Sequence, residues 1–230
     1  MLMYDIPIDG LNFDNHQLKG MSMTKSIQLN KIQRWLLHLF KRLSECHIFF
    51  IKNFLISWFI KKYNVNMQES SIKSIQDFSH FNDFFTRQLA KGARSIDKNL
   101  HHIISPVDGQ ISQFGRIESN RLVQAKGCYY SLKNLLAQQE SLSTIFFNGS
   151  FMTLYLAPAN YHRVHMPYTG HLEQMIYVPG SLYAVNDKSQ HKHKGLFTRN
   201  ERVINVFETQ MGKMCMIFVG AGLVGSIEMQ

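Results

Sequence analysis

The sequence predicts an α+β fold in which N-terminal membrane-associated helices precede a β-rich, mainly antiparallel catalytic domain. Two observations predict this fold. Apolar side chains recur at helical spacing between residues 29 and 63, and beyond residue 101 short apolar runs alternate with Asp-Gly, Asn-Gly and Pro-Gly turns. The chain of 230 residues is 45% hydrophobic and 18% charged, which is typical of a folded protein and argues against a disordered one.

Shifts in composition along the chain predict four segments. They are an unassigned N-terminal extension (1–28), amphipathic helices (29–63), a polar linker with a short helix (64–100), and the β-rich domain (101–230), which we expect to be incomplete at its C-terminal end. The candidate strands are Ile103–Ser105, Gln110–Ile117, Leu122–Ala125, Phe151–Leu156, Arg163–Met166, Leu172–Val178, Val203–Phe207 and Met214–Val219. A short helix is expected at Ser131–Gln139, with Ser131 as its N-cap.

The amphipathic segment carries positive charge beside large apolar side chains, among them Trp35, Phe40, Phe54 and Trp58. A single acid, Glu45, stands among seven basic residues, which are Lys31, Arg34, Lys41, Arg42, Lys52, Lys61 and Lys62. This combination is typical of an anchor that lies in a membrane interface. The alternative is two helices packed on the core with their basic face in water. Charged residues interrupt every apolar stretch before it reaches the length of a membrane-spanning helix, so none is predicted.

The net charge of +9 indicates an acidic partner, either nucleic acid or an anionic membrane surface. We favour the membrane and expect no nucleic-acid partner, because the basic residues concentrate on an apolar helical segment and no nucleic-acid-binding motif is visible. The cysteines Cys46, Cys128 and Cys215 are scattered, which favours a reducing compartment without a disulfide framework. The first residues do not have the pattern of a signal peptide.

The segment Tyr161–Pro167 contains two histidines, His162 and His165, three residues apart. Imidazole is the side chain best suited to proton transfer near neutral pH. Helix is disfavoured before Pro167, and on a strand this separation directs the two rings to opposite faces. We therefore expect one histidine to be catalytic and the other to contact substrate or backbone, and a metal clamp is not expected. The alternative is that both are ordinary hydrogen-bonded histidines.

Three other positions offer chemistry, each with a simpler alternative. Asp108 could orient a histidine by accepting its Nδ1 proton, or it could be part of a plain Asp-Gly turn. Ser226 could be a nucleophile, but its glycine-rich surroundings favour a structural role in a turn between strands. The stretch 191–194, His-Lys-His-Lys, could bind metal or phosphate, but a solvated loop is the favoured interpretation.

A series of short motifs runs in order along the chain. They are Phe81-Asn82-Asp83-Phe84-Phe85-Thr86-Arg87, Pro106-Val107-Asp108-Gly109, Ala125-Lys126-Gly127, Tyr155-Leu156-Ala157-Pro158, Tyr161–Pro167, Pro179-Gly180, Asn200-Glu201-Arg202 and Val224-Gly225-Ser226-Ile227-Glu228. Together they closely resemble the bacterial phosphatidylserine decarboxylases. The resemblance runs from about residue 30 to the C-terminal end of the sequence.

The resemblance implies a proenzyme that cuts itself before a serine, which becomes a pyruvoyl group on a small (α) chain. It implies that Asp108 and His165 act with that serine as a charge relay, and that His162 lies near substrate. The pyruvoyl group would be the cofactor for converting phosphatidylserine to phosphatidylethanolamine and CO2. The expected partners are phosphatidylserine in an anionic membrane, the small chain and a second copy in a homodimer, and the expected location is the cytoplasmic side of a bacterial membrane.

The sequence departs from the family pattern at several points. Asn160 stands where the family usually has Asp, and Ser95 stands where it usually has Pro. The family's Leu-Gly-Ser-Thr-like cleavage motif does not occur up to Gln230, because Ser226 matches an internal Val-Gly-Ser-Ile motif instead. We therefore expect this chain, by itself, to lack the pyruvoyl serine and to be inactive. The alternative function is a non-catalytic remnant that binds anionic lipid.

Overall fold

The computed structural model describes residues 42–125 and 128–221, together with residue 39 and the backbone of residues 3–4. It has an α+β fold. The strands are β1 (Met3–Tyr4), β2 (Gln110–Arg116), β3 (Arg121–Ala125), β4 (Cys128–Ser131), β5 (Ser150–Tyr155), β6 (Arg163–Val164), β7 (Gly170–Val178), β8 (Arg202–Thr209) and β9 (Gly212–Val219). The helices are α1 (Phe49–Tyr63), α2 (Phe81–Phe85), α3 (Leu132–Leu135), α4 (Glu140–Ile145), α5 (Asp187–Lys192) and α6 (Leu196–Arg199).

The helical region is built around α1. This helix ends at Asn64, whose left-handed backbone conformation lets its N–H bond to the carbonyl of Ile60, a common way to close a helix. Two turns of 3-10 helix follow, Met67–Glu69 and Ile75–Asp77, and then α2. The inner face of α1 packs with these segments into an aromatic cluster, which consists of Ile56, Phe59, Val65, Phe78, Phe84 and Phe85.

The sheets are small and almost entirely antiparallel. The largest has the order β7-β8-β9, and β2 pairs with β5 and β3 with β4 in the same antiparallel sense. One short parallel pairing joins β1 to β6. The central strand β8 is buried from Arg202 to Phe207, because it has a neighbour on each edge and packing on both faces. A second group of buried residues, the His-motif cluster, consists of Val164, Val203, Phe207, Met216 and Phe218.

The prediction of an α+β fold with antiparallel sheets is confirmed. The short helix after Ser131 is also confirmed, since the Ser131 hydroxyl accepts a hydrogen bond from the Asn134 N–H, although α3 is shorter than expected. The strand expected at Ile103–Ser105 is wrong, and strands β1 and β4 were not anticipated. Residues 64–78, expected as a polar linker, fold against α1 and bury Phe78. The division into four segments stays a prediction.

The helical prediction for residues 29–63 is confirmed where it falls on α1, and most of residues 29–41 lie outside the described residues. None of the helices in the described part of the chain has the length and hydropathy of a membrane span. One part of the prediction is wrong. Lys52 is not one of the basic residues that face solvent beside the apolar side chains, because it is buried and its ammonium group donates to the carbonyls of Gln76 (2.6 Å) and Phe78.

Candidate active site

Backbone hydrogen bonds join the segment that carries Asp108 to the segment that carries His165. The His165 N–H donates to the carbonyl of Pro106 (2.8 Å), and the Ile104 N–H donates to the carbonyl of Pro167 (2.9 Å). This antiparallel contact gives residues 103–105 hydrogen-bond partners although they form no regular strand. It also brings two motifs about sixty residues apart in sequence to one place.

Apolar packing fixes the same arrangement. Val164 is fully buried beside His165, and Val107, the neighbour of Asp108, packs against the same His-motif cluster. The glycine of the Asp-Gly pair is required by close approach, since a Cβ at Gly109 would lie 2.8 Å from the carbonyl oxygen of Tyr155. The pair is therefore more than a solvent-exposed turn.

The carboxylate of Asp108 is held by Arg94. The Nε and Nη2 atoms of Arg94 donate to Oδ2 of Asp108 at 2.8 and 2.5 Å, and Nη2 also donates to Glu69 at 2.6 Å. The hydrogen bond to Asp108, followed by that to Glu69, raises the pKa of Arg94 above its ordinary value. Among the described residues the Asp108 carboxylate thus bonds to Arg94 and not to the His165 ring, so the Asp108–His165 relay stays a prediction.

His165 is exposed, but its ring is in contact with a buried tyrosine. Its Nε2 lies 3.0 Å from the hydroxyl of Tyr161, and the two rings stack at 5.6 Å between centroids with 17° between their planes. Tyr161 itself is buried. The orientation of the His165 imidazole is therefore set by a side chain that cannot easily move.

His162, unlike His165, is buried. It is 5% exposed, its Nδ1 lies 2.8 Å from the carbonyl of Asn160, and its ring lies 4.1 Å from that of Phe85. Burial lowers the pKa of His162 to about 4, so the ring is neutral at physiological pH. The two histidines flank the two-residue strand β6 and have different surroundings. The proposed contact of His162 with substrate stays a prediction.

The turn before the histidines is closed by Asn160. Its Oδ1 accepts a hydrogen bond from the Ala157 N–H (2.7 Å), and its own N–H donates to the Ala157 carbonyl (2.9 Å). An aspartate carboxylate offers the same acceptor oxygen. The departure at position 160 therefore preserves this turn.

The end of α2 packs directly on the histidine segment. Beyond the Phe85–His162 contact, Arg163 Nε donates to the carbonyl of Thr86 (2.7 Å) and Arg87 Nη2 donates to that of Ala159 (3.2 Å). Arg87 is buried, and its Nη1 has no hydrogen-bond partner among the described residues. Burial lowers the pKa of Arg87. Electrostatic interactions with Glu69 and then Tyr161 partly offset this decrease.

The Asn200-Glu201-Arg202 motif has a structural role. Asn200 Nδ2 donates to the carbonyls of Tyr183 (2.8 Å) and Gly220 (2.9 Å). The buried guanidinium of Arg202 donates to four backbone carbonyls, those of Asn134, Leu135, Thr198 and Asn200. Burial lowers the pKa of Arg202 to about 10. These bonds tie the start of β8 to the neighbouring loops and to α3.

The other sequence candidates contribute less. His191 and Lys192 lie exposed in the last turn of α5, and His193 stacks on Tyr183. No group of side chains suited to a metal ion occurs within residues 42–125 and 128–221. Ser226 lies outside the described residues. The sequence analysis assigned no role to Arg94, Tyr161 or Arg87. The only sequence signal for these residues is that they lie within or beside the quoted motifs.

Comparisons with known proteins agree with the resemblance that the ordered sequence motifs indicate. A family model described as Phosphatidylserine decarboxylase matches residues 81–230. The chain is 48% identical over 187 residues to the phosphatidylserine decarboxylase proenzyme of Hahella chejuensis, in an alignment that covers 81% of this chain and 63% of the relative. It is 46% identical over 195 residues to the proenzyme of Pseudomonas aeruginosa (83% and 68%) and 51% identical over 174 residues to that of Vibrio parahaemolyticus (76% and 61%). The chain thus spans less than two thirds of the Hahella and Vibrio relatives.

Proposed function

Because the chain belongs to the phosphatidylserine decarboxylase family, we propose that it forms the greater part of a proenzyme that converts phosphatidylserine to phosphatidylethanolamine and CO2. The observation that carries the proposal is the pairing of the Asp108 and His165 segments through backbone bonds and a shared apolar cluster. This pairing brings the segment with a carboxylate and the segment with an exposed imidazole together, as self-cleavage by a charge relay requires.

In the proposed relay, His165 takes the proton of the nucleophilic serine on Nε2, and Asp108 accepts a hydrogen bond from the Nδ1–H group. Both bonds from Arg94 end on Oδ2 of Asp108, so the relay assigns the bond from the imidazole to Oδ1. Arg94 positions the carboxylate for this bond. His162 is buried and neutral, so it contributes an oriented ring and not a positive charge.

A pyruvoyl group would supply the electron-accepting carbonyl for loss of CO2. The surroundings of Tyr161 fit such a group, because they combine the exposed imidazole of His165 with a buried guanidinium nitrogen of Arg87 that has no partner among the described residues. The serine that gives rise to the group belongs to the small (α) chain in this proposal.

The proposal includes peripheral binding to the cytoplasmic side of an anionic bacterial membrane. The outward face of α1 is apolar, with Phe50 81% exposed, Phe54 70% exposed, and Trp58 and Ile51 also exposed. A patch formed by several large exposed apolar side chains is unusual on a monomer surface and typical of membrane or protein contacts. Lys61 and Lys62 end the helix, and the Lys62 ammonium lies 4.4 Å from the Trp58 ring. This arrangement suits an anionic lipid interface.

Self-cleavage is tested in a chimera of residues 1–230 followed by the C-terminal segment of the Hahella chejuensis proenzyme. The expected result is two chains on a denaturing gel and a blocked N-terminus on the smaller one. His165→Ala and Asp108→Asn should remain uncut, whereas His171→Ala, which changes an exposed histidine on β7, should cut normally. Normal cutting of the His165→Ala chimera would show that the relay is wrongly assigned.

The second step is tested by CO2 release from phosphatidylserine in mixed vesicles. We expect the cut chimera to release CO2 and the uncut variants to release none. Efficient self-cleavage without CO2 release would contradict the decarboxylase activity. Vesicle binding with neither reaction would instead support the non-catalytic lipid-binding alternative.

A further inference from the structure

We propose that Tyr161 is a positioning residue for self-cleavage, which holds the His165 imidazole in the tautomer and orientation that the relay needs. The inference rests on the proposed function, since it assigns a task to Tyr161 within that reaction. It begins from the two contacts between the side chains, the 3.0 Å approach of the hydroxyl to Nε2 and the stacking of the rings at 5.6 Å and 17°.

The first step concerns burial. Tyr161 is buried, whereas His165 is exposed. An exposed imidazole on its own samples several rotamers, and fixing it costs conformational entropy. Stacking on a ring that is already fixed by packing confines the imidazole before the nucleophile arrives. The orientation of His165 is thus provided by the folded state and not by the substrate serine.

The second step concerns the proton. A phenol is a good donor at neutral pH, and a neutral imidazole has one donor and one acceptor nitrogen. When the Tyr161 hydroxyl donates to Nε2, the ring proton must lie on Nδ1. This is the tautomer in which Nδ1 can donate to Asp108 and Nε2 can act as a base. The neighbouring guanidinium of Arg87 interacts with Tyr161 through its charge, and a nearby cation strengthens a hydroxyl as a donor.

The third step concerns the serine. A serine hydroxyl bonds to Nε2 in the same way as a tyrosine hydroxyl, as an O–H donor to a ring nitrogen. Before the reaction the Tyr161 hydroxyl therefore occupies the place at Nε2 that the serine hydroxyl takes in the relay. The exposed His165 ring gives up this bond when the serine arrives, and the ring proton stays on Nδ1 because one O–H donor replaces another.

The test begins with Tyr161→Phe, which keeps the ring and removes the hydroxyl. Tyr130→Phe is the matched control, because it removes the hydroxyl of another buried tyrosine, one that bonds to Thr153. NMR of the imidazole nitrogens in the 230-residue chain should show neutral His165 with its proton on Nδ1 in the parent and the control. In Tyr161→Phe the proton should move at least partly to Nε2. This measurement does not depend on any activity.

The chimera described above then gives the rate. We expect Tyr161→Phe to cut itself about tenfold more slowly than the parent, as the loss of one positioning hydrogen bond implies, and Tyr130→Phe to cut close to the parent rate. An unchanged tautomer, or a rate no lower than that of Tyr130→Phe, would overturn the proposal. If the parent chimera fails to cut, the proposed function fails, and the tautomer measurement still decides whether Tyr161 sets the state of His165.

Discussion

Helix α1 and strand β8 differ in how much of their surface is buried. In α1 the buried face contains Lys52, Ile56 and Phe59, while Phe50 and Phe54 point to solvent. In β8 every residue from Arg202 to Phe207 is buried, and most of them are apolar. The strand is covered on both faces and both edges, so its residues from Arg202 to Phe207 are buried whether they are apolar or polar. The helix is covered on one face only, and its packing partners decide which face that is.

Each region also buries a cation, and in both cases backbone carbonyls make this tolerable. Lys52 donates to the carbonyls of Gln76 and Phe78, and Arg202 donates to four carbonyls around β8. A buried charge is costly unless it is well hydrogen-bonded. Burial in these two regions therefore depends on the available hydrogen-bond partners and not on hydrophobicity alone.

The largest effect is expected from truncating the inner face of the helical region. Phe84 is fully buried in the aromatic cluster, so Phe84→Ala should lower the free energy of unfolding by about 3–5 kcal/mol. Phe54→Ala, at a 70% exposed position, should change it by less than about 0.5 kcal/mol. Denaturant unfolding monitored by fluorescence measures both. Equal losses for the two variants would mean that the outer face of α1 is also covered.

The next effect is a pH dependence of stability that arises from His162. The pKa of His162 is lowered to about 4, so the unfolded chain binds a proton below about pH 6.5 that the folded chain does not. Stability should therefore be constant above that pH and fall by about 1.4 kcal/mol per pH unit as the pH drops towards 4. The direction follows from the neutral folded form, which acid disfavours relative to the unfolded chain.

Urea unfolding at several pH values tests this dependence. His162→Asn should flatten the slope between pH 6.5 and 4, since the titrating group is gone. The same slope in His162→Asn and in the parent would show that the loss of stability in acid arises elsewhere.

A smaller effect is expected from the buried ammonium of α1. Lys52→Met should lower the free energy of unfolding by about 1–3 kcal/mol, because the carbonyls of Gln76 and Phe78 lose their donor inside the protein. Lys61→Met is the control on the same helix, where the side chain is exposed, and it should be close to neutral. A more stable Lys52→Met variant would show that apolar packing at this position outweighs the hydrogen bonds.

The smallest expected effect concerns vesicle binding and leaves the free energy of unfolding unchanged. Phe54→Ser should weaken binding to vesicles that contain phosphatidylglycerol by about tenfold, in keeping with one aromatic ring removed from an interface. Binding of the parent should also weaken with salt, because the charge contribution is screened. Sedimentation with anionic and neutral vesicles measures it. Unchanged binding in Phe54→Ser would exclude the outer face of α1 as the contact.

Much of the fold follows from local rules. The alternation of apolar residues and the turn pairs predicted most strands within a few residues, and Ser131 predicted the start of α3. The three exceptions have physical causes. Residues 103–105 bond to the histidine segment without regular strand geometry, and β4 has too mixed a composition to show alternation. Strand β1 has two residues, which are too few to show a two-residue period.

The sequence by itself determined the family and the antiparallel class of the sheets, because these depend on motif order and on a two-residue period. The tertiary structure decided that Lys52 turns inward, that Arg94 holds Asp108 and that Tyr161 contacts His165. Lys52 meets its carbonyl acceptors from more than twenty residues away along the chain, and no local pattern specifies such a meeting. Tyr161 and His165 are close in sequence, but only burial of the tyrosine fixes the bond between them.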